Sequence, residues 1–368
     1  MKGWACFDFI INHFIGGHKV TQQLFFVGSY SPREQEGVSA MTLDTETGAI
    51  SRLSGVAGVH NPSFLRVNDA GTHLYVVSET GVEPGSVLSY ALTGDNGGLT
   101  EINEASTLGG SPCHVEFDKS GQLLVVTNYT GGTFSLYALG EDGSAALADH
   151  IKHEGRGPRD DRQEAPHPHS AIVDPAGLYV LIADLGTDEV VSYRIDSDAK
   201  KLIKQGATAA APGAGPRHMA FHPQQPILYV INELDSTVAV YSYEPEQSQL
   251  TLKQVISTLP ESFTDETTCA DIHVTADGRF LYASNRGHDS IAVYRVAEDG
   301  SLTLVQFAPS GGKTPRNFAI SPDGQYLLSA NQESSVIVTY RIDQATGELQ
   351  PTGHSIETNK PVCIAFVK

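Results

Sequence analysis

One feature constrains this chain more than any other: it repeats. Six segments follow one template, a small or proline-led start, an apolar strand, an Asp/Gly turn and a second strand with an aromatic-aliphatic run. They are NPSFLRVNDAGTHLYVVSE from Asn61, SPCHVEFDKSGQLLVVTNY from Ser111, HPHSAIVDPAGLYVLIAD from His167, GPRHMAFHPQQPILYVINE from Gly215, CADIHVTADGRFLYASNR from Cys269 and TPRNFAISPDGQYLLSANQ from Thr314. With Pro62, Pro112, Pro168, Pro216, Ala270 and Pro315 as register marks, the period is about fifty residues. A third strand of alternating pattern follows in each unit, such as SVLSYAL, TFSLYAL or VIVTYRI, and a fourth comes after a polar or glycine-rich turn. Four short strands per unit make a small antiparallel sheet. Runs such as LYVV and ILYVI are apolar on both faces, so each sheet needs a neighbour on either side, which radial repetition supplies.

The chain ends complete the count. LFFVGSY from Leu24 matches the second strand of the template, and residues 36 to 57 its third and fourth, yet no first strand precedes it. The missing strand stands at the other end, as NKPVCIAFV from Asn359. Pairing the two removes two open sheet edges. The expected fold is therefore all-β, a seven-bladed β-propeller with four antiparallel strands per blade, closed by the C-terminal strand joining the N-terminal blade. Residues 23–368 form a single domain in this reading, although 368 residues would ordinarily suggest two or three. Residues 1–22 form an N-terminal extension outside the fold. Its apolar stretch is interrupted by Asp8, Asn12 and His13 and has no small-residue cleavage site, so neither a signal peptide nor a membrane span is expected.

Charge excludes two classes of partner. With 43 acidic and 24 basic residues the net charge is -19, which repels nucleic acid and anionic membrane surfaces. Four cysteines, Cys6, Cys113, Cys269 and Cys363, are scattered without a C-x-x-C pair. That pattern fits a reducing, cytoplasmic setting rather than a disulfide scaffold or zinc ribbon.

The template also sorts polar residues by place. Antiparallel pairing puts the start of strand one and the end of strand two at the same end of each unit, around one mouth of the central channel. The starts carry Asn61, His114, His167, His169, Arg217, His218, Asp271, Arg316 and Asn317; the ends carry Glu79, Asn128, Asp184, Glu233, Arg286 and Asn331. Arg217, Arg286 and Arg316 fall on three consecutive units of an acidic chain, and guanidinium forks bind phosphate or carboxylate. A small anionic ligand follows. Glu233 and His169, on the same arc, could supply general base and acid. The segment HEGRGPRDDRQEA from His153 is long enough to overhang the mouth. His153, His167 and His169 lack a further spaced ligand or carboxylate cluster, so no metal is expected. Cys113 and His114 are not a nucleophile and base, because adjacent strand residues point to opposite faces.

On these residues the chain resembles the lactonase family of seven-bladed propellers, that of bacterial propeller-type 6-phosphogluconolactonase, related to fungal carboxy-cis,cis-muconate cyclase. The resemblance runs from about Leu24 to Lys368 and rests on FFVGSY, NYTGG, HPHS, GPRHMAFHP, INELDSTV, ADIHVTADGRFLYASNRGHDSI and PRNFAISPDG. The tryptophan-aspartate signature of WD40 blades is missing, since Trp4 is the sole tryptophan. What the resemblance implies is hydrolysis of 6-phospho-D-glucono-1,5-lactone to 6-phosphogluconate without a cofactor. Through the cyclase branch it implies a catalytic set of Glu233, His169 and Arg217, with Arg286 beside them. Arg286, Arg316, His167, Asn128 and Asn331 are expected to bind substrate, the last two through sugar hydroxyls. The roles of His167 and His169 stay open between them. The alternatives are a carboxymuconate cyclase-like or other sugar-lactone enzyme and, in another class, a non-catalytic propeller scaffold that binds a protein partner.

Overall fold

In the computed structural model, which describes residues 11–15, 18–94 and 96–367, every regular element is a strand and the strands form seven sheets. Blade 5 shows the unit. Its strands Pro216–Phe221, Ile227–Asn232, Thr237–Glu244 and Gln249–Ser257 run antiparallel in that order from the channel outwards. Alternation then decides packing, since successive side chains of a strand leave on opposite faces. In blade 2, Leu74 and Val76 pack towards blade 1, whereas Tyr75 and Val77 pack towards blade 3. The result is seven apolar clusters, one in each gap between blades. Tyrosines at repeated positions tie neighbouring blades together: Tyr75, Tyr229 and Tyr282 donate to the carbonyls of Gly143, Gly300 and Gly347 in the next blade.

The ring closes as expected from the two ends of the chain. Pro361–Phe366 pairs antiparallel with Phe25 to Ser29 of His18–Ser29, and Val38–Asp44 and Ile50–Val56 complete that blade. The expected N-terminal extension falls mostly outside the described residues. Of it, the backbone of Ile11–Ile15 runs antiparallel to residues 18–22.

The innermost strands share an irregularity that matters for the site. In blade 5, Pro216 faces Asn232 and His218 faces Ile231, so Arg217 is one residue too many. The same β-bulge isolates His169 between Pro168 and Ser170, Arg316 between Pro315 and Asn317, and Cys113 between Pro112 and His114. A bulge leaves its extra residue without a cross-strand partner and re-aims the side chain. Repeated in these four blades, it points one side chain from each towards the central axis.

Candidate functional site

Residue Gly215 starts the site. Its φ is 66°, and a Cβ there would come within 2.6 Å of the Leu234 side chain, so glycine is needed at the turn that delivers Pro216 and the Arg217 bulge. Arg217 is almost fully buried. Its Nε donates to Glu233 Oε2 at 2.8 Å, and its Nη1 donates to the Ala270 carbonyl at 2.6 Å. Arg286 pairs with the same carboxylate oxygen at 2.9 Å, and Arg162 donates to Oε1. Three guanidiniums thus surround one carboxylate, leaving an excess of positive charge at the mouth of an acidic protein.

This cluster sets its own protonation states. Burial pushes the Glu233 carboxyl up, but Arg286, Arg217 and Arg162 together outweigh it and hold the group far below the usual carboxylate range. Arg217 is lowered to about 10 by burial, then by Arg286 and Arg316, against the pull of Glu233. His169 is buried and lies well below the ordinary histidine value, first through burial and then through Arg217, His218, Arg316 and Arg286. Its ring is neutral at pH 7. Its Nδ1 is buried with no hydrogen-bond partner.

Arg316 differs from the other mouth arginines. Its guanidinium lies over the Tyr30 ring at 5.3 Å, and among the described residues no carboxylate is paired with it. Tyr30 in turn donates to Glu79 at 3.1 Å. Ser63, Phe64, Cys113, His169, Arg217, His218, Arg316, Asn317 and Val362 line a narrow central cleft of about 10 Å³, room for about one water. Beside it lies an open groove of about 770 Å³ between residues 159–162 and 264–268. Arg162 and Arg286 line that groove while reaching Glu233, so their cluster forms the wall between the groove and the cleft.

The structure brings Glu233, His169, Arg217, Arg286 and Arg316 together and sets three expected residues apart. Asn128 and Asn331 have no exposed surface. Asn128 Nδ2 donates to the Thr107 carbonyl and the Thr133 hydroxyl, and Asn331 Nδ2 to the carbonyls of Ser310 and Ser329. They are clamps inside the blades and do not reach a substrate in the cleft. The cause is a one-residue offset: Asn128 and Asn331 align with Asn232, not Glu233, and one step along an extended chain reverses the face. His167 stacks on Tyr129 with centroids 4.4 Å apart and is held by the Tyr129 carbonyl at 2.9 Å; Tyr129 stands between it and His169, and His167 is not among the residues that line the cleft. His153 is bound to Asp184 at 2.6 Å and to the Tyr193 hydroxyl at 2.8 Å.

Three participants were not singled out from the sequence. Tyr30 and Tyr129 follow the last residue of their second strands, as Glu233 does, and counting from the register prolines would have found them. Arg162 comes from the long segment after blade 3, which does reach over the mouth. It carried no signal separating it from Arg156 and Arg159.

Known proteins share this architecture and sequence. The family described as Lactonase, 7-bladed beta-propeller, matches residues 24–366. The 6-phosphogluconolactonase of Bacillus subtilis is 36% identical over 350 residues, 95% of this chain and 99% of that one. That of Pectobacterium carotovorum is 38% identical over 315 residues, 85% and 89% of the two chains. The structure of the periplasmic gluconolactonase of Pseudomonas aeruginosa superposes with a TM-score of 0.89 at 29% identity, covering 94% of this chain and 99% of the other. The chain belongs to the seven-bladed β-propeller lactonase family, and its chemistry is that of a carboxylic ester hydrolase acting on lactones.

Proposed function

We propose that this enzyme hydrolyses 6-phospho-D-glucono-1,5-lactone to 6-phosphogluconate in the pentose phosphate pathway, in the cytoplasm. The observation that carries this reading is the pairing, across one cleft, of an arginine without a carboxylate partner among the described residues, Arg316, and a neutral histidine with an unpartnered nitrogen, His169. The first suits the phosphate, the second suits acid-base work. In the reaction, His169 takes a proton from water as its oxygen bonds to the lactone carbonyl carbon. The carbonyl oxygen gains charge, which Arg217 stabilises through Nη2, the edge of its fork with no partner among the described residues. The intermediate then collapses, the ring C–O bond breaks, and His169 returns its proton to the departing ring oxygen. The acid formed releases its own proton to solvent. Glu233 is too strongly stabilised as a carboxylate to serve as the base; it orients Arg217, Arg286 and Arg162.

A second reading, hydrolysis of the unphosphorylated sugar lactone, is favoured by the name of the Pseudomonas aeruginosa relative. The test is base uptake in a stirred pH-stat, with each lactone freshly generated and with enzyme present or absent. Acceleration of the phosphorylated lactone by at least about tenfold more than of the plain one supports the proposal. Equal acceleration of both overturns the phosphate assignment, and a background rate with both returns the cyclase and scaffold readings.

A further inference from the structure

Below the cleft, the polar interior is organised around Asp271, a buried carboxylate in the bulge of blade 6. Its Oδ1 accepts from His218 Nδ1 at 2.8 Å and from the Ile272 amide at 3.0 Å. Its Oδ2 accepts from Asn317 Nδ2 at 2.5 Å, His273 Nε2 at 3.0 Å and the Phe318 amide at 3.3 Å. A carboxylate so surrounded only accepts, so the proton of His218 is fixed on Nδ1 and its Nε2 carries a lone pair. That lone pair stands 3.2 Å from Arg217 Nη1. Burial and the Arg217 charge lower His218 to about 4, against the pull of Asp271, so the acceptor is available at neutral pH.

The arrangement accounts for one edge of the Arg217 fork. Nε is engaged by Glu233, and Nη1 by the Ala270 carbonyl and His218. Only Nη2 is left to face a ligand. The same imidazole packs edge-on against His169, with ring centroids 5.3 Å apart, and so touches both groups that the mechanism uses.

We propose that His218 is a positioning residue of the lactonase reaction: clamped by Asp271, it accepts a hydrogen bond from Arg217 and holds the guanidinium plane so that Nη2 meets the carbonyl oxygen of the substrate. This rests on the oxyanion role given to Arg217 above. An apolar residue of similar size would fill the same space without fixing the fork. Planar recognition by arginine depends on such pre-organisation.

Two amide replacements separate the ring's two bonds. Glutamine places an oxygen near Nε2 and keeps the acceptor for Arg217, whereas asparagine places its NH2 near Nδ1 and keeps the donor to Asp271. On whichever lactone the wild-type enzyme turns over, His218→Asn is expected to lower kcat by about tenfold or more with KM little changed, and His218→Gln to retain most of kcat. In an Arg217→Ala background, His218→Asn should cause no further loss of kcat. Retention of wild-type kcat by His218→Asn, equal losses in both variants, or losses that multiply with Arg217→Ala would each overturn the proposal. Circular dichroism confirms that the compared variants are folded; if His218→Asn is not, His218→Ala takes its place in the cycle with the same expected outcomes. A wild-type enzyme inactive on the phosphorylated lactone but active on another would overturn the substrate assignment alone.

Discussion

Arg316 rests its guanidinium on the ring of Tyr30, 5.3 Å from the centroid, and is the mouth arginine that no carboxylate among the described residues holds. The aromatic face supports the cation without neutralising it. If this fork receives the phosphate, Arg316→Ala should raise KM for the phosphorylated lactone by about 10- to 100-fold, the range for a lost hydrogen bond to a charged group. Its effect on glucono-1,5-lactone should be less than about threefold. Steady-state kinetics on the two substrates measures both.

If His169 is the base, it sets the pH dependence. Its pKa is lowered by burial and by the neighbouring Arg217, His218, Arg316 and Arg286. A base with a lowered pKa stays unprotonated as the pH falls past the ordinary histidine value of about 6.5. Activity governed by His169 should therefore hold level from pH 7.5 through 6.5 and decline only at lower pH. His169→Gln should lower kcat by about 10² or more. An acid limb centred near pH 6.5 in kcat/KM would remove His169 as the base.

Asn128 and Asn331 serve the fold. Each is fully buried and bonded to the carbonyl of Thr107 or Ser310 at the end of a preceding blade. Removing the Asn331 donor leaves the buried Ser310 carbonyl unpaired, at about 1–3 kcal/mol, whereas the Thr107 carbonyl keeps the Ser135 hydroxyl at 2.8 Å, so Asn128→Ala should cost less. Asn128→Ala and Asn331→Ala should lower the urea midpoint while leaving KM within about twofold of wild type.

These contrasts show what can be read from the chain alone. The blade pattern was legible because the same turn chemistry and alternation recur six times, and because the strand missing before Leu24 reappears at Asn359. The arginines of the mouth were legible as exceptions in an acidic chain. The facing of individual side chains was not. Asn128 and Glu233 are both polar residues near the end of a second strand, and only the pairing register shows that they differ by one position and therefore by face. Arg162 lies in a segment with no period to count from, so only folding reveals that it meets Glu233.

Glu233 links the site to stability. Its folded-state pKa is depressed, because three arginines outweigh the burial that would raise it. Such a group contributes stability above its unfolded value of about 4.3, and that contribution is lost as pH falls through the folded value. The wild-type urea midpoint should thus begin to fall near pH 5 and keep falling to the lowest pH measured. Glu233→Gln leaves three buried or half-buried guanidiniums without their carboxylate, at about 3–5 kcal/mol. It should be less stable at pH 7 but decline less steeply on acidification, so that the two curves converge. Parallel curves would show that Glu233 is not the neutralising group.

The closing strand makes a separate claim on the ring. Pro361–Phe366 pairs with Phe25 to Ser29, and places Cys363 in the cluster between blades 1 and 2 and Ile364 in the cluster between blades 7 and 1. The Ile364 amide also donates to Asn317 Oδ1 at 2.7 Å, beside the Asp271 network. Ending the chain at Thr358 would take one strand from blade 1, open two apolar gaps and expose the amides and carbonyls of Phe25 to Ser29 as an unpaired edge. Such edges recruit other chains. The truncated protein should aggregate in a concentration-dependent way at temperatures the full chain withstands. Adding a synthetic peptide of residues 359–368 should restore monodisperse protein and part of the activity, as light scattering and the pH-stat would show. Restored dispersity without activity would mean that the strand closes the ring but leaves the polar network under the cleft disordered.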